Sequence, residues 1–345
     1  MLNQKGGVGK TTSTVNLGAA LAEAGQRVCL VDLDPQAHLT LHLGIDPQRV
    51  NKSVYDLLLD PECDAADAVI NARPNLDAIL SEVDLAAAET ELSQTPGRQL
   101  ILRRKFQSIA PRYDIVIIDC PPSLGLLTLN ALSLAQEVFV PMQAHFLALQ
   151  GVGKLLDTVG LVCRSINPQL RVSGIILCMH EQQTTLAKEI VSDLDAFFDA
   201  ASSQDVPWRT CRVLRPAIRR NVKLAEAPSF GKTIFDYEPS CPGAADYRAL
   251  AQHVLGQVAA QQPPASKPEP NPASKSEPAL SAKTPQPVAS SLPRPAEVAS
   301  HAKSAPVPAA APVPLVTTIE PKPARATPAA RPRKSNEPDA VQPVI

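Results

Sequence analysis

The chain has 345 residues, a formal net charge of −1 and seven cysteines scattered without a Cys-x-x-Cys pair. That odd, dispersed set fits buried thiols in a reducing compartment and speaks against a disulfide scaffold or a zinc site. With no apolar run of about 18 residues and no charged-then-apolar leader, the sequence reads as soluble and cytoplasmic.

In chain order, the first predicted helix covers 12–24, with Val15, Leu17, Ala20 and Leu21 at helical spacing and Gly25 as its stop. A strand follows at 28–33 and leads into Asp32-Leu33-Asp34-Pro35-Gln36, where the proline marks the exit from the sheet. Residues 39–110 read as mostly helical with irregular links. Within them Ser53 caps a helix at 54–59, and 100–110 carries a basic, solvated face. Ile115-Val116-Ile117-Ile118 is a continuous β-branched run, the pattern of a strand covered on both faces. Then come a helix around 124–134, a strand at 138–141, a long helix from about 149 to 166 and a strand at 172–178. A helix at 185–198, an edge strand at 211–214 and a last helix at about 244–258 complete the folded part. Strands alternating with helices in this way imply an α/β fold with a doubly wound, mostly parallel sheet, and ligands at the carboxyl ends of its strands.

The composition changes near residue 262. Twenty of the 35 prolines lie beyond that point, with ten Lys/Arg, six Asp/Glu and no aromatic residue. Such a stretch buries too little apolar surface to offset its ordering entropy, so 262–345 is expected to be a disordered Pro/Ala/Ser/Lys-rich tail. Residues 1–261 suffice for one substantial domain and carry −5 once the tail's +4 is removed.

Ahead of the first helix stands Lys5-Gly6-Gly7-Val8-Gly9-Lys10-Thr11-Thr12, a phosphate-binding loop of the P-loop NTPase type with an extra lysine in front. Gly6, Gly7 and Gly9 lack Cβ atoms, so the backbone through Val8 can take positive φ and aim successive N–H groups at phosphate oxygens. Lys10 supplies a point charge for the β- and γ-phosphates, the Thr11 hydroxyl is placed for Mg²⁺, and Thr12 opens the helix whose positive end faces the phosphates. Asp119, closing the apolar run, has the position of a Walker B carboxylate that holds Mg²⁺. Asp34 would face the γ-phosphate from the other side, with the attacking water between them. Asp32 is open between a site role and that of a helix cap.

A loop of this kind is normally delivered by a buried strand of about five or six residues, whereas four residues precede Lys5. The expectation is therefore a truncated first strand, a stub or none, beside the strands that end at Asp34 and Asp119. Met1 would then be an internal residue of a longer strand.

Five stretches together are highly specific: Asn3-Gln4-Lys5-Gly6-Gly7-Val8-Gly9-Lys10-Thr11-Thr12, Val31-Asp32-Leu33-Asp34-Pro35-Gln36, Asp119-Cys120-Pro121-Pro122-Ser123-Leu124, Val140-Pro141-Met142-Gln143, and the run from Asn221 to Lys232. Through them residues 1 to about 258 resemble the ParA/Soj group of deviant Walker A partitioning ATPases, in the SIMIBI class of P-loop NTPases. The resemblance implies a slow, Mg²⁺-dependent ATP hydrolase activated by a partner protein and by DNA. It implies that Lys5 reaches across an ATP-sandwich homodimer to the phosphates of the other subunit, that Asp34 is needed for hydrolysis, and that Asp119 is the metal-side acid. It further implies ATP and Mg²⁺ as cofactors, non-specific binding of double-stranded DNA by the dimer, a ParB-type activator and a cytoplasmic, nucleoid-associated location. The cargo could be a chromosome, a plasmid, a protein complex or an organelle. One departure is local: the group usually has Gly-Asn after Pro-Gln, and here Ala37-His38 follow. His38 reads as a solvated or packed residue rather than a base.

From Arg209 to Lys232 there are seven basic residues against one acid, Glu226, so this segment is +6 while the rest of the folded part is −11. Arg215, Arg219, Arg220 and Lys223 are the candidate DNA contacts. If each chain neutralises ~3 phosphates, log affinity falls against log salt with a slope near −5 for a dimer and about −3 for a monomer. Arg331-Pro332-Arg333-Lys334 in the tail could add weak phosphate contacts, or the tail could simply solubilise.

Three other readings stand beside this one. A MinD-type membrane-associated regulator shares the loop but needs a C-terminal amphipathic helix, which the proline-rich end does not supply, so no stable membrane association is expected. An electron-transfer iron protein of nitrogenase type needs paired cysteines around a shared cluster, and Cys120 directly after Asp119 lacks that spacing. A nucleotide-gated scaffold without turnover stays open because of the short first strand.

Overall fold

The computed structural model describes residues 1–145, 148–181 and 183–261, and the tail expected at 262–345 lies outside them. Lys10–Glu23 forms helix α1, and strand β1 follows at Val28–Asp32 with every residue buried. β1 lies inside a sheet ordered β2-β3-β1-β4, where β2 is Val69–Arg73, β3 is Leu76–Ile79 and β4 is Ile115–Asp119. A second sheet is ordered β5-β6-β7, with β5 at Glu137–Met142, β6 at Arg171–Leu177 and β7 at Arg212–Val213. Every pairing is parallel except β2 with β3.

Side chains that alternate along β1 enter two different cores, as the pleat requires. Cys29 and Val31 join the layer of α3 (Val54–Leu59), α4 (Ala88–Glu91), α5 (Ile101–Lys105), α6 (Leu126–Leu134), α7 (Ala148–Ser165) and α8 (Thr185–Ala201). Val28 and Leu30 join α1, α2 (His38–His42), α9 (Val222–Glu226), α10 (Ile234–Tyr237) and α11 (Pro242–Gln261). Helices therefore cover both faces, as the alternation of elements predicts.

Most expected elements fall within a few residues of their observed bounds. Ser53 caps α3 with a full capping box: its hydroxyl accepts from Tyr55 N, and Asp56 answers to the Ser53 N–H. The region 39–110 departs from the mostly helical expectation, because β2 and β3 form an antiparallel hairpin there and β3 extends the parallel sheet beside β1. The turn holds Asn75 at φ 60, a left-handed position that asparagine tolerates. Asn, Arg and Asp interrupt the apolar alternation of these two strands, and packing against β1 outweighs their weak propensity.

No strand forms at residues 1–4, within the expectation of a stub or none, and Met1 lies beside β4 as expected but not beside β1. The Met1 amino group donates to Ile118 O at 2.6 Å, Cys120 N to Met1 O at 3.3 Å, and Leu2 N to Phe139 O at 3.0 Å. Met1 and Leu2 thus thread between β4 and β5, not beside β1, whose two edges are filled by β3 and β4. Below them the facing edges of β4 and β5 line a cavity of about 790 Å³, walled by Leu17, Leu21, Ile115, Ile117, Val138 and Phe139 among others. The gap is what divides the sheet in two.

Candidate nucleotide site and basic segment

The loop before α1 turns through Gly7 at φ 71 and Gly9 at φ 92, and Gly9 is the N-cap of the helix. A side chain at Gly9 would also meet the Cys178 Cβ at 3.2 Å, so the end of β6 sets the floor of the loop. Burial pushes the Cys178 thiol up to about 11, which leaves it an inert neutral support. The N-terminus of α1 faces the carboxyl ends of β1 and β4, and its unpaired N–H groups make an anion site there.

Thr11 Oγ1 donates to Asp119 Oδ2 at 2.6 Å, and Thr14 Oγ1 donates to Asp119 Oδ1 at 3.2 Å. Asp119 is fully buried at the end of β4. Burial pushes its carboxyl up, and the Thr11 hydrogen bond, the amino group of Met1 and then Lys10 pull it back towards the charged form. A hydroxyl and a carboxylate are hard oxygen donors of the kind Mg²⁺ takes beside phosphates and water, so these residues fit that ion. Lys10 is itself buried at the base of the helix.

Asp34 lies two residues beyond the end of β1 and is 7% exposed. Its Oδ1 accepts from Gln36 N at 3.0 Å, and its backbone carbonyl accepts from Ala37 N and from the Ser81 hydroxyl, both at 2.9 Å. Asp32 has a supporting place. Its Oδ2 accepts from Thr40 N at 2.9 Å and Thr40 Oγ1 at 2.8 Å, so it ties α2 to the sheet. Burial first and Asp119 second push the Asp32 carboxyl up to about 7. Thr40 Oγ1 accepts in turn from Ser81 N at 3.0 Å. Asp32, Thr40 and Ser81 thereby fix the backbone that carries Asp34. His38 is exposed, and Ala37 before it adopts φ 51.

Lys5 does not join this cluster. Its side chain is exposed, and Nζ lies 2.6 Å from His145 Nε2.

The basic segment differs in charge from its sequence. Six of its seven cations form ion pairs: Arg209–Asp205 at 3.9 Å, Arg212–Asp199 at 3.8 Å, Arg215–Asp195 at 2.9 Å, Arg219–Asp246 at 2.7 Å, Arg220–Glu181 at 3.0 Å and Lys223–Glu226 at 2.9 Å. Five of those six acids lie outside 209–232, so the +6 of the segment is largely offset in space. Arg219 stands apart, because it makes several hydrogen bonds to Asp246, whose side chain is 6% exposed. That pair secures α11 to the segment. The pairs of Arg215, Arg220 and Lys223 are solvent-exposed.

The structure thus gathers Gly6, Gly7, Val8, Gly9, Lys10, Thr11, Thr12, Asp34 and Asp119 at one end of the sheet, and holds Lys5 apart. Sequence reasoning missed Thr14, Thr40, Ser81, Cys178 and His145. Thr14 was within reach, since it lies three residues after Thr11 and shares its helix face. The others come from distant segments that only the fold brings close.

The chain is similar to known proteins in sequence and in fold. The sporulation initiation inhibitor protein Soj of Bacillus subtilis is 44% identical over 253 residues, covering 73% of this chain and 95% of that protein. The chain belongs to the ParA/Soj family of partitioning ATPases. Its ParA/Soj relatives include the chromosome partitioning protein ParA of Caulobacter vibrioides, 40% identical over 267 residues, or 76% of this chain and 96% of that one. The AAA domain family matches residues 1–172. Among solved structures, the cobyrinic acid a,c-diamide synthase of Mycobacterium smegmatis, with bound ATP analogue and magnesium, superposes with a TM-score of 0.62 at 36% identity. That match covers 75% of this chain and 94% of the synthase. The ParA/Soj family membership thus rests on about three quarters of the chain.

Proposed function

We propose that this chain is an ATP- and Mg²⁺-dependent partitioning ATPase. Two copies close around ATP, the dimer binds double-stranded DNA without sequence preference, and hydrolysis stimulated by DNA and a ParB-type partner releases it. The protein would act in the cytoplasm on the nucleoid to segregate a chromosome, a plasmid or another cargo. The observation that carries this reading is the meeting of Lys10, Thr11, Asp34 and Asp119 around a glycine loop at the positive end of α1.

The backbone N–H groups of 6–12 hold the phosphates, and Lys10 neutralises the β- and γ-oxygens. Thr11 and Asp119 hold Mg²⁺, which supplies charge neutralisation on the phosphate oxygens when bound. Asp34 orients the attacking water and takes up its proton, on a backbone braced by Ser81 and Thr40. Lys5 adds a cation to the other subunit's phosphates, in the manner of an arginine finger.

For DNA, exposed ion pairs in water are weak and exchange readily, so phosphates can displace the acids from Arg215, Arg220 and Lys223. Arg219, committed to Asp246, contributes mainly by holding the segment's shape. Phosphate release with DNA and a ParB-type partner present tests the proposal. Wild type should turn over, and Asp34→Ala should lose at least ~100-fold in rate while keeping ATP affinity. Equal, negligible release from both proteins would favour the turnover-free scaffold instead.

A further inference from the structure

The arm that leads into the phosphate loop is fastened to the end of β5 and the segment after it at three points. Asn3 Nδ2 donates to Pro141 O at 2.7 Å, Gln143 Nε2 donates to Gly7 O at 3.3 Å, and Lys5 Nζ lies 2.6 Å from His145 Nε2. Asn3 Oδ1 also accepts the Lys5 backbone N–H at 2.9 Å, which fixes the direction in which the lysine side chain leaves the arm. An ammonium group only donates, so the Nε2 that faces it is an acceptor and the ring proton sits on Nδ1. Lys5 and His145 together roof a small apolar hollow lined by Val8, Val140, Met142 and Leu155. The lysine side chain is therefore engaged with its own subunit, at His145, and makes no hydrogen bond to Thr11 or Asp119.

We propose that His145 is a positioning residue for Lys5, stowing the lysine in the single chain so that closing the ATP dimer first requires the Lys5–His145 bond to open. The inference rests on the reading of Lys5 as the cation that crosses the dimer. His145 then sets the ATP concentration at which two copies join, while Lys10, Asp34 and Asp119 keep their own tasks. A single hydrogen bond at the surface contributes a factor of roughly 2 to 10, which tunes the threshold without blocking it.

The test measures the concentration of a non-hydrolysable ATP analogue that gives half-maximal dimer, by light scattering on the full chain. His145→Ala should lower that concentration by about 3- to 10-fold. His145→Gln, whose amide oxygen can still accept from the ammonium, should stay within about twofold of wild type. His145→Ala should leave the melting temperature of the single chain unchanged, which a merely structural role of the ring would not produce. An unchanged threshold in His145→Ala, or an equal shift in His145→Gln, overturns the stowing role. If wild type fails to dimerise, or Lys5→Ala dimerises like wild type, the dimer reading itself fails. The stowing is then read without nucleotide, from acylation of the Lys5 amine followed by mass spectrometry. Faster labelling in His145→Ala but not in His145→Gln supports it, and equal labelling in all three overturns it.

Discussion

His42, at the end of α2, makes stability sensitive to acid in a way that can be isolated. The ring is 2% exposed, and its Nε2 has no hydrogen-bond partner. Burial pulls its pKa from 6.5 down to about 4, partly offset by a hydrogen bond with the Lys232 backbone. The unfolded chain therefore takes up a proton near 6.5 while the folded chain resists until about 4, so between these values the unfolded state binds more protons and stability falls as pH falls. At about 1.36 kcal/mol per pH unit the whole window amounts to about 3 kcal/mol. All of that contribution is present above 6.5, and it is lost progressively down to about 4. His42→Leu removes the titration and keeps an apolar side chain of similar bulk. Urea unfolding of both proteins at several pH values between about 7 and 4 should give curves that converge on the variant's side as acid is added, the wild type losing about 3 kcal/mol more. Parallel curves through this window would show that His42 does not titrate as argued.

Three further outcomes follow from the geometry. Ala37 holds a left-handed conformation at φ 51, which costs a non-glycine residue roughly 1 kcal/mol, so Ala37→Gly should raise the melting temperature by about 2–4 °C. A fall would mean that its buried Cβ matters more than its backbone. Arg219→Glu sets a second carboxylate against the nearly buried Asp246 and should lower the melting temperature by calorimetry. Arg220→Glu should leave melting unchanged and weaken DNA retention; the reverse pattern would reject the division between anchor and contact. The cavity of about 790 Å³ between β4 and β5 has Met1 and Leu2 in its wall, so residues added ahead of Met1 test whether it can be filled. Adding five β-branched apolar residues there should contribute about 2–3 kcal/mol net of ordering entropy. The melting temperature should then rise by about 5–10 °C, whereas an unchanged value would show that the slot closes by itself.

The phosphate loop, Asp119 and the doubly wound fold were legible because each depends on local pattern: glycines before a helix, an acid after an apolar run, strands alternating with helices. α3 could be placed to the residue because a capping box is written in four consecutive positions. The β2–β3 hairpin was not legible, since what makes Leu76–Ile79 a strand is the edge of β1 beside it, and Val69–Arg73 in turn pairs with Leu76–Ile79. Of the two neighbours expected for Met1 and Leu2, β4 is in place and β1 is not, because strand order is a property of packing and leaves no mark on spacing. The charge of the basic segment shows the limit most clearly. Asp195 and Asp246 are ordinary helix residues in sequence, and only the fold sets them against Arg215 and Arg219. Asp34 could be read as a site acid, but the Asp32–Thr40–Ser81 brace beneath it joins residues up to 49 positions apart.

The central claim is that DNA is gripped only by two copies closed over ATP. Sedimentation of the full chain with non-specific double-stranded DNA, run with ATP, with ADP and without nucleotide, tests it most directly. The account predicts a DNA-bound dimer with ATP alone, and none for Lys5→Ala under any condition. Equal DNA binding with and without ATP, or a Lys5→Ala protein that sediments with DNA as wild type does, would contradict it.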